Sequence, residues 1–304
     1  MTGTKDISVV LCSHNPRATF FARTLAAIRQ QSLPKDRWEL IVVDNASREP
    51  IHIDPEIGRV VREDRLGLTH ARLRGISESA APLLVFVDDD NVLAEDYLER
   101  ALGVLNAFPQ IGVFGGQCIP EYEELPADWL KPFVGHLAIH EFDNDRWSNQ
   151  RDYRAFPIGA GLCIKATFAR RYAAQVEADV NRLSYDRAGT NLMSGGDTDM
   201  VMTCVGAGVG AGRFASMRLV HLIPKGRLTP EYSRRIAYGT GYSLGRLARQ
   251  YEGTTFIRNT AQLARTVAYV VIGKDRGPGR WVRASYNLGY WQGLRSRGPR
   301  VSLA

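Results

Sequence analysis

Five consecutive apolar residues, Leu83-Leu84-Val85-Phe86-Val87, run straight into Asp88-Asp89-Asp90-Asn91. An uninterrupted apolar run of this length marks a strand covered on both faces, as in a parallel sheet packed between helices. Open α/β sheets bind ligands just beyond the carboxyl ends of their strands. Three carboxylates gathered there repel one another, and packing gives no reason to collect them. A divalent cation does: Mg²⁺ or Mn²⁺ is typically held by one or two carboxylates plus substrate phosphates. Asp88 and Asp90 are two apart, so an extended chain points both the same way and Asp89 elsewhere. A simple cap for a helix starting near Ala94 would need only Asn91.

The preceding residues supply the rest of a nucleotide-binding half. Ile7 to Cys12 reads as a first buried strand ending in Ser13-His14-Asn15-Pro16-Arg17, and an apolar-striped helix with Phe20, Phe21, Leu25 and Ile28 follows. Leu40 to Val43 is a second strand ending in Asp44-Asn45-Ala46-Ser47. Val60-Val61 is a shorter one, and a helix from Thr69 to Ser79 leads back to the opening strand. The order β-α-β-β-α-β implies a twisted parallel sheet with right-handed crossovers. Asp44, at a strand's carboxyl end, suits a ribose or base hydroxyl, or an Asx-turn.

Taken in order, these segments resemble glycosyltransferase family 2. The resemblance rests on Val9 to Asn15, Val42 to Ser47, Gly67 to Gly75, Val87 to Asn91, Gly159-Ala160-Gly161, Gly195 to Asp199 and His221. It implies a GT-A type nucleotide-diphospho-sugar transferase fold, a mostly parallel twisted sheet flanked by helices, and transfer from a nucleoside-diphosphate sugar with inversion. It also implies roles. Ser13, His14, Asn15, Arg17 and Asp44 would line the base and ribose, and Arg72 would stand near the donor phosphates. Asp88 and Asp90 match the metal motif for Mn²⁺ or Mg²⁺, with Asp90 the direct ligand, Asp89 beside the donor, and His221 a further metal ligand. Asp197 falls at the catalytic base, with Asp199 as the runner-up because Gly196 replaces the glutamate that commonly precedes it. Asp64-Arg65 stand where the family usually has Asn. The chemistry suits these types: a carboxylate takes the acceptor's proton, and a metal neutralises the departing diphosphate. A nucleotidyltransferase would be expected to carry a Gly-rich phosphate loop after its first strand. A non-catalytic nucleotide- or sugar-binding module would not need Asp197.

At 304 residues and 44% hydrophobic, the chain has enough apolar sequence for one large domain plus an extension. The expected division is a catalytic domain over 1–222 (nucleotide half 1–115, acceptor half 116–222) and a basic, mostly helical extension over 223–304. Cys12, Cys118, Cys163 and Cys204 lack zinc or redox spacing and read as buried thiols in a reducing cytoplasm. Gly206 to Gly212 reads as a helix-ending turn rather than a dinucleotide loop. Trp129, Phe133, Trp147 and Tyr153 fall in the segment where acceptor loops are expected, between Glu121 and Phe156.

The net charge of +7 is unevenly placed. From Lys225 onward there are 15 Lys or Arg against Glu231, Glu252 and Asp275, a net of +12, which leaves the first 224 residues at −5. Within this tail, Thr254 to Ile272 reads as an amphipathic helix, too short in its apolar run for the ~20 residues of a membrane span. Three partners suit it: the catalytic body or a second subunit, as in a homodimer; an anionic membrane touched peripherally at its inner face; or, least in keeping with the body, nucleic acid. Membrane contact would match a lipid-linked or envelope-polysaccharide acceptor in place of a soluble carbohydrate or other hydroxyl acceptor.

Overall fold

The computed structural model describes residues 5–253 and 277–296, together with Ala264 and Ala268. Strands β1 (Ile7–Ser13), β2 (Trp38–Asn45), β3 (Arg59–Glu63) and β4 (Leu83–Asp88) pair in parallel, with helices α1 (Ala18–Arg29) and α2 (Leu68–Glu78) as connections. β5 (Asn91–Leu93), α3 (Tyr97–Ala107) and the long β6 (Ile111–Tyr122) follow. β7 (Arg146–Ser148), β8 (Cys163–Lys165), α4 (Ala166–Ala178), α5 (Gly196–Val205) and β9 (Gly210–Ile223) complete the sheet region. The sheet order is β3-β2-β1-β4-β8-β6-β9-β5, with β7 on β9. β8 enters antiparallel between β4 and β6, whereas β6 and β9 run parallel. The mostly parallel α/β architecture expected from the sequence is present.

The apolar runs cover both faces because alternate residues serve opposite layers. Val9, Leu11, Leu83, Val85 and Val87 pack with Phe21, Ile28 and Leu98 on one side. Val10, Cys12, Leu84 and Phe86 pack with Ala71, Ile76, Tyr172 and Val201 on the other. Each fully buried Val, Leu, Ile or Phe side chain adds roughly 1.5–3 kcal/mol. All four cysteines are buried thiols, and burial pushes Cys12 up to about 12.

Two sequence expectations about the acidic run are corrected. β4 stops at Asp88, and Asp89 and Asp90 form a turn rather than more strand. Asn91 closes that turn by accepting the Asp88 N–H (3.2 Å) and then opens β5, so it is not a helix cap; α3 begins at Tyr97 after Asp96. Tightening the chain this way brings all three carboxylates to one cavity.

Beyond β9 the chain forms α6 (Pro230–Glu252) and α7 (Gly279–Arg295). The amphipathic stretch Thr254 to Ile272 lies outside the described residues. α6 packs on the body: Leu247 and Tyr251 join the core beneath α5. α6 and α7 run parallel, since Gly241 meets Tyr286, Gly245 meets Tyr290, Gly289 meets Tyr238 and Gly293 meets Tyr242. At each of these glycines a Cβ would overlap a backbone carbonyl oxygen of the other helix. Gly245→Val should therefore push the helices apart and cost about 1–3 kcal/mol, read as a lower denaturation midpoint. An unchanged midpoint would contradict this close packing.

Candidate active site

The carboxyl ends of β1, β2 and β4 open into a cavity of about 430 Å³. Ser13 and His14 reach it from β1, Asn45 from β2, and Asp88, Asp89 and Asp90 from the turn after β4. Arg72 comes from α2, Asp197 from the first turn of α5, and His221 from the end of β9. Eight of the twelve side chains singled out in the sequence thus meet there, and Asn15, Arg17, Asp44 and Asp199 do not.

 Asn15 contacts the wall through its side-chain amide on His14 Nε2 (2.8 Å).

Arg17 and Asp44 are held elsewhere. Arg17 is half-exposed and pairs with Glu123 above the start of α1. Asp44 is buried and fully engaged: it accepts the N–H groups of Ser47 (3.0 Å) and Ile51 (3.3 Å) and pairs with Arg62 (2.7 Å). It therefore shapes the loop after β2 as an Asx-turn residue does. Asn45, which sequence reasoning passed over, organises the opposite loop. Its amide donates to the carbonyls of Glu63 and Arg65 and its Oδ1 accepts from Gly67 N–H.

Burial dominates the electrostatics of the acidic turn. It raises Asp88, aided by the Asp90 charge, and pushes Asp89 up to about 7, where Ser13 Oγ donates to Asp89 Oδ2 at 2.5 Å. Asp90 goes the other way. Burial opposes its charge, but His221 and Arg227 outweigh that and hold it well below the usual carboxylate range. Asp90 Oδ2 lies 3.3 Å from His221 Nε2 and 2.9 Å from Arg227. Among the described residues no three His, Cys, Asp or Glu side chains form a complete metal cage. Asp90 and His221 nonetheless fit a hard divalent ion that draws its other ligands from phosphate and water, and the Nδ1 of His221 is buried without a partner.

Behind this turn, Arg72 and Asp186 form a buried ion pair at 2.6 Å. Burial alone would lower the guanidinium, yet Asp186, Asp88 and Asp197 hold it charged. Asp186 also explains the glycine at 196: a Cβ there would overlap its carboxylate. The Asp186 carboxylate fills the space a side chain at 196 would take, and its Oδ1 accepts the Gly196 N–H (3.3 Å). Neither Asp186 nor Arg227 carried a sequence signal, because Asp186 ends one 3-10 turn and Arg227 lies within another, and the fold brings both in.

The structure separates the two acids of α5. Asp197 lines the cavity; its Oδ2 accepts Gly159 N–H (2.9 Å) and its Oδ1 accepts Thr198 N–H (2.7 Å). Asp199 is fully buried in a two-pronged pair with Arg182 (2.8 and 2.9 Å) and accepts from Tyr251 (2.8 Å). It faces the core between α5 and α6 and not the cavity. Asp199→Ala should leave Arg182 buried without its partner and cost about 3–5 kcal/mol, seen as a lower unfolding midpoint. A variant as stable as the wild type would remove this structural assignment.

Comparison with known proteins is consistent with this geometry. The sequence model described as Glycosyl transferase family 2 matches residues 8–175. Glycosyltransferase AglE of Haloferax volcanii is 28% identical over 111 residues, 33% of this chain and 35% of that protein. Polypeptide N-acetylgalactosaminyltransferase 4 of Caenorhabditis elegans is 25% identical over 114 residues, 36% of this chain and 19% of that one. The chain thus spans about a third or less of the curated relatives it matches. In fold it is similar to a mannosyltransferase from Pyrobaculum calidifontis solved with GDP-Man and Mn²⁺ (TM-score 0.53, 18% identity, covering 97% of this chain and 73% of that one). It is also similar to residues 1–349 of S. aureus TarS solved with UDP (TM-score 0.52, 12% identity, 95% and 90%).

Proposed function

Because the chain belongs to glycosyltransferase family 2, whose members transfer sugar from a nucleotide sugar, we propose that it is a metal-dependent, inverting transferase acting on an acceptor hydroxyl. The observation that carries this reading is the meeting of Asp90, His221 and Asp197 at one cavity, with Asp197 held by two backbone N–H groups. The nucleotide would lie across the loops after β1 and β2, against His14 and Asn45. Asp90 and His221 would hold Mn²⁺ or Mg²⁺, which when bound supplies positive charge to the departing diphosphate.

Asp197 is then the base. Its anchoring fixes the carboxylate, and an ionised carboxylate accepts the acceptor's proton as that oxygen attacks the anomeric carbon from the face opposite the diphosphate. Arg72 keeps positive charge close to Asp197 and Asp88. Gly159 leaves room for it, since a Cβ there would stand 2.7 Å from Arg72 Nη2. The acceptor belongs on the side of the 121–156 segment, where Trp147 and Tyr153 are about half exposed. A carbohydrate or lipid-linked hydroxyl in glycoconjugate synthesis suits that face. Among the described residues no helix is long and apolar enough to cross a membrane. The catalytic body, 1–222, would be buttressed by the helical unit that follows it.

The test is thermal stability against UDP, GDP, dTDP, CDP and ADP, each with and without Mn²⁺. One nucleotide at about a hundred times its Kd, with metal, should add roughly 2.7 kcal/mol, about 4 °C for a chain of this size. No shift with any nucleotide would overturn the nucleotide-sugar site and favour a different ligand class.

A further inference from the structure

One nitrogen of Arg227 stands at both groups assigned to the divalent ion. Its Nη1 lies 2.9 Å from Asp90 Oδ2 and 3.2 Å from His221 Nε2. The same Nε2 lies 3.3 Å from Asp90 Oδ2, so guanidinium, imidazole and carboxylate crowd one point. A metal ion reaching both Asp90 Oδ2 and His221 Nε2 would have to enter the space the guanidinium holds. A monovalent and a divalent cation sharing Asp90 Oδ2 would also repel each other strongly in so buried a place. Asp90 is only 7% exposed at its side chain, and Arg227 only 25%.

We propose that Arg227 is a tethered cation that competes with the divalent ion for Asp90 and His221, so the ion binds well only once a diphosphate takes over the guanidinium. The proposal rests on the metal and nucleotide reading of the site. The tether is short. Arg227 sits in a 3-10 turn, Lys225–Leu228, directly after Pro224, and Lys225 N–H is fixed to Glu123 Oε2 at 2.9 Å. Its guanidinium lines the same cavity as Ser13, Arg72 and Asp197, so a diphosphate bound there would be within its surroundings. Arginine pairs with phosphate oxygens through parallel, charge-assisted hydrogen bonds, which makes such an exchange favourable. Without nucleotide, Arg227 keeps the carboxylate neutralised; with it, the same charge moves to the leaving group. Donor and metal binding are then coupled through one side chain.

The experiment is a titration with Mn²⁺ alone, following the free ion by electron paramagnetic resonance in wild type and Arg227→Met. With the competitor gone, the variant should bind Mn²⁺ at least tenfold more tightly, and adding Asp90→Asn should remove that gain. Equal or weaker binding in Arg227→Met overturns the competition. If that equal binding still depends on Asp90, the metal site stands and only the role of Arg227 falls. If neither protein shows Asp90-dependent binding, the metal reading falls with it. Should Arg227→Met fail to fold, Arg227→Gln, which keeps a polar end without the charge, is held to the same tenfold criterion.

Discussion

Asp90→Asn is expected to lower turnover by about 10³-fold or more and to abolish the Mn²⁺-dependent part of nucleotide stabilisation. Charge stabilisation by a metal at a departing phosphate is worth several kcal/mol, and each 1.36 kcal/mol is tenfold in rate. Asn keeps the size of the side chain, but its neutral oxygen is a weaker ligand for a hard cation. Asp90 is the acid of the three that the fold holds ionised, through His221 and Arg227. Burial instead raises Asp88 and Asp89. Nucleotide titrations with and without Mn²⁺, beside initial rates, read both effects. An Asp90→Asn enzyme with wild-type turnover would end the metal assignment.

Asp197→Asn should produce a different pattern. The amide keeps the side chain's size and its Oδ1 or rotated counterpart can still accept one of the two backbone N–H groups. Donor affinity is therefore expected within about twofold, while turnover falls roughly 10²–10⁴-fold, the range for losing a general base. A drop in kcat with donor binding retained separates this residue from Asp90, where binding and turnover fall together. Full turnover in Asp197→Asn would move the base elsewhere. Asp199 is a poor replacement, because both its oxygens are taken by Arg182 and no wall of the cavity includes it.

The acidic turn was legible in the sequence because chemistry and packing both point to it: a buried strand has no use for three acids at its end. The parallel order of β1 to β4 was equally plain from apolar runs separated by helical stripes. What escaped notice came from far-apart segments. Asp186 belongs beside Arg72 only after α2 and the loop before α5 have packed, 114 residues apart in the chain. Arg227 read as one more charge in a basic tail, although it follows His221 by six residues. The extended geometry inferred for Asp88 and Asp90 failed because Asn91 bends the chain with its own side chain. The glycines at 241, 245, 289 and 293 stand at helical spacing in the sequence, yet only two packed helices reveal what they are spaced for.

The bond from Tyr251 to Asp199 spans 52 residues and crosses the boundary at 222 that the sequence suggested. It bears on how this protein can be shortened. A chain trimmed at the end of β9 would strip Leu247 and Tyr251 from the core and open the Arg182–Asp199 pair to water, directly beneath the helix that presents Asp197. A fragment ending at β9 is therefore expected to express poorly and to lose stability, while one running through Glu252 keeps that packing.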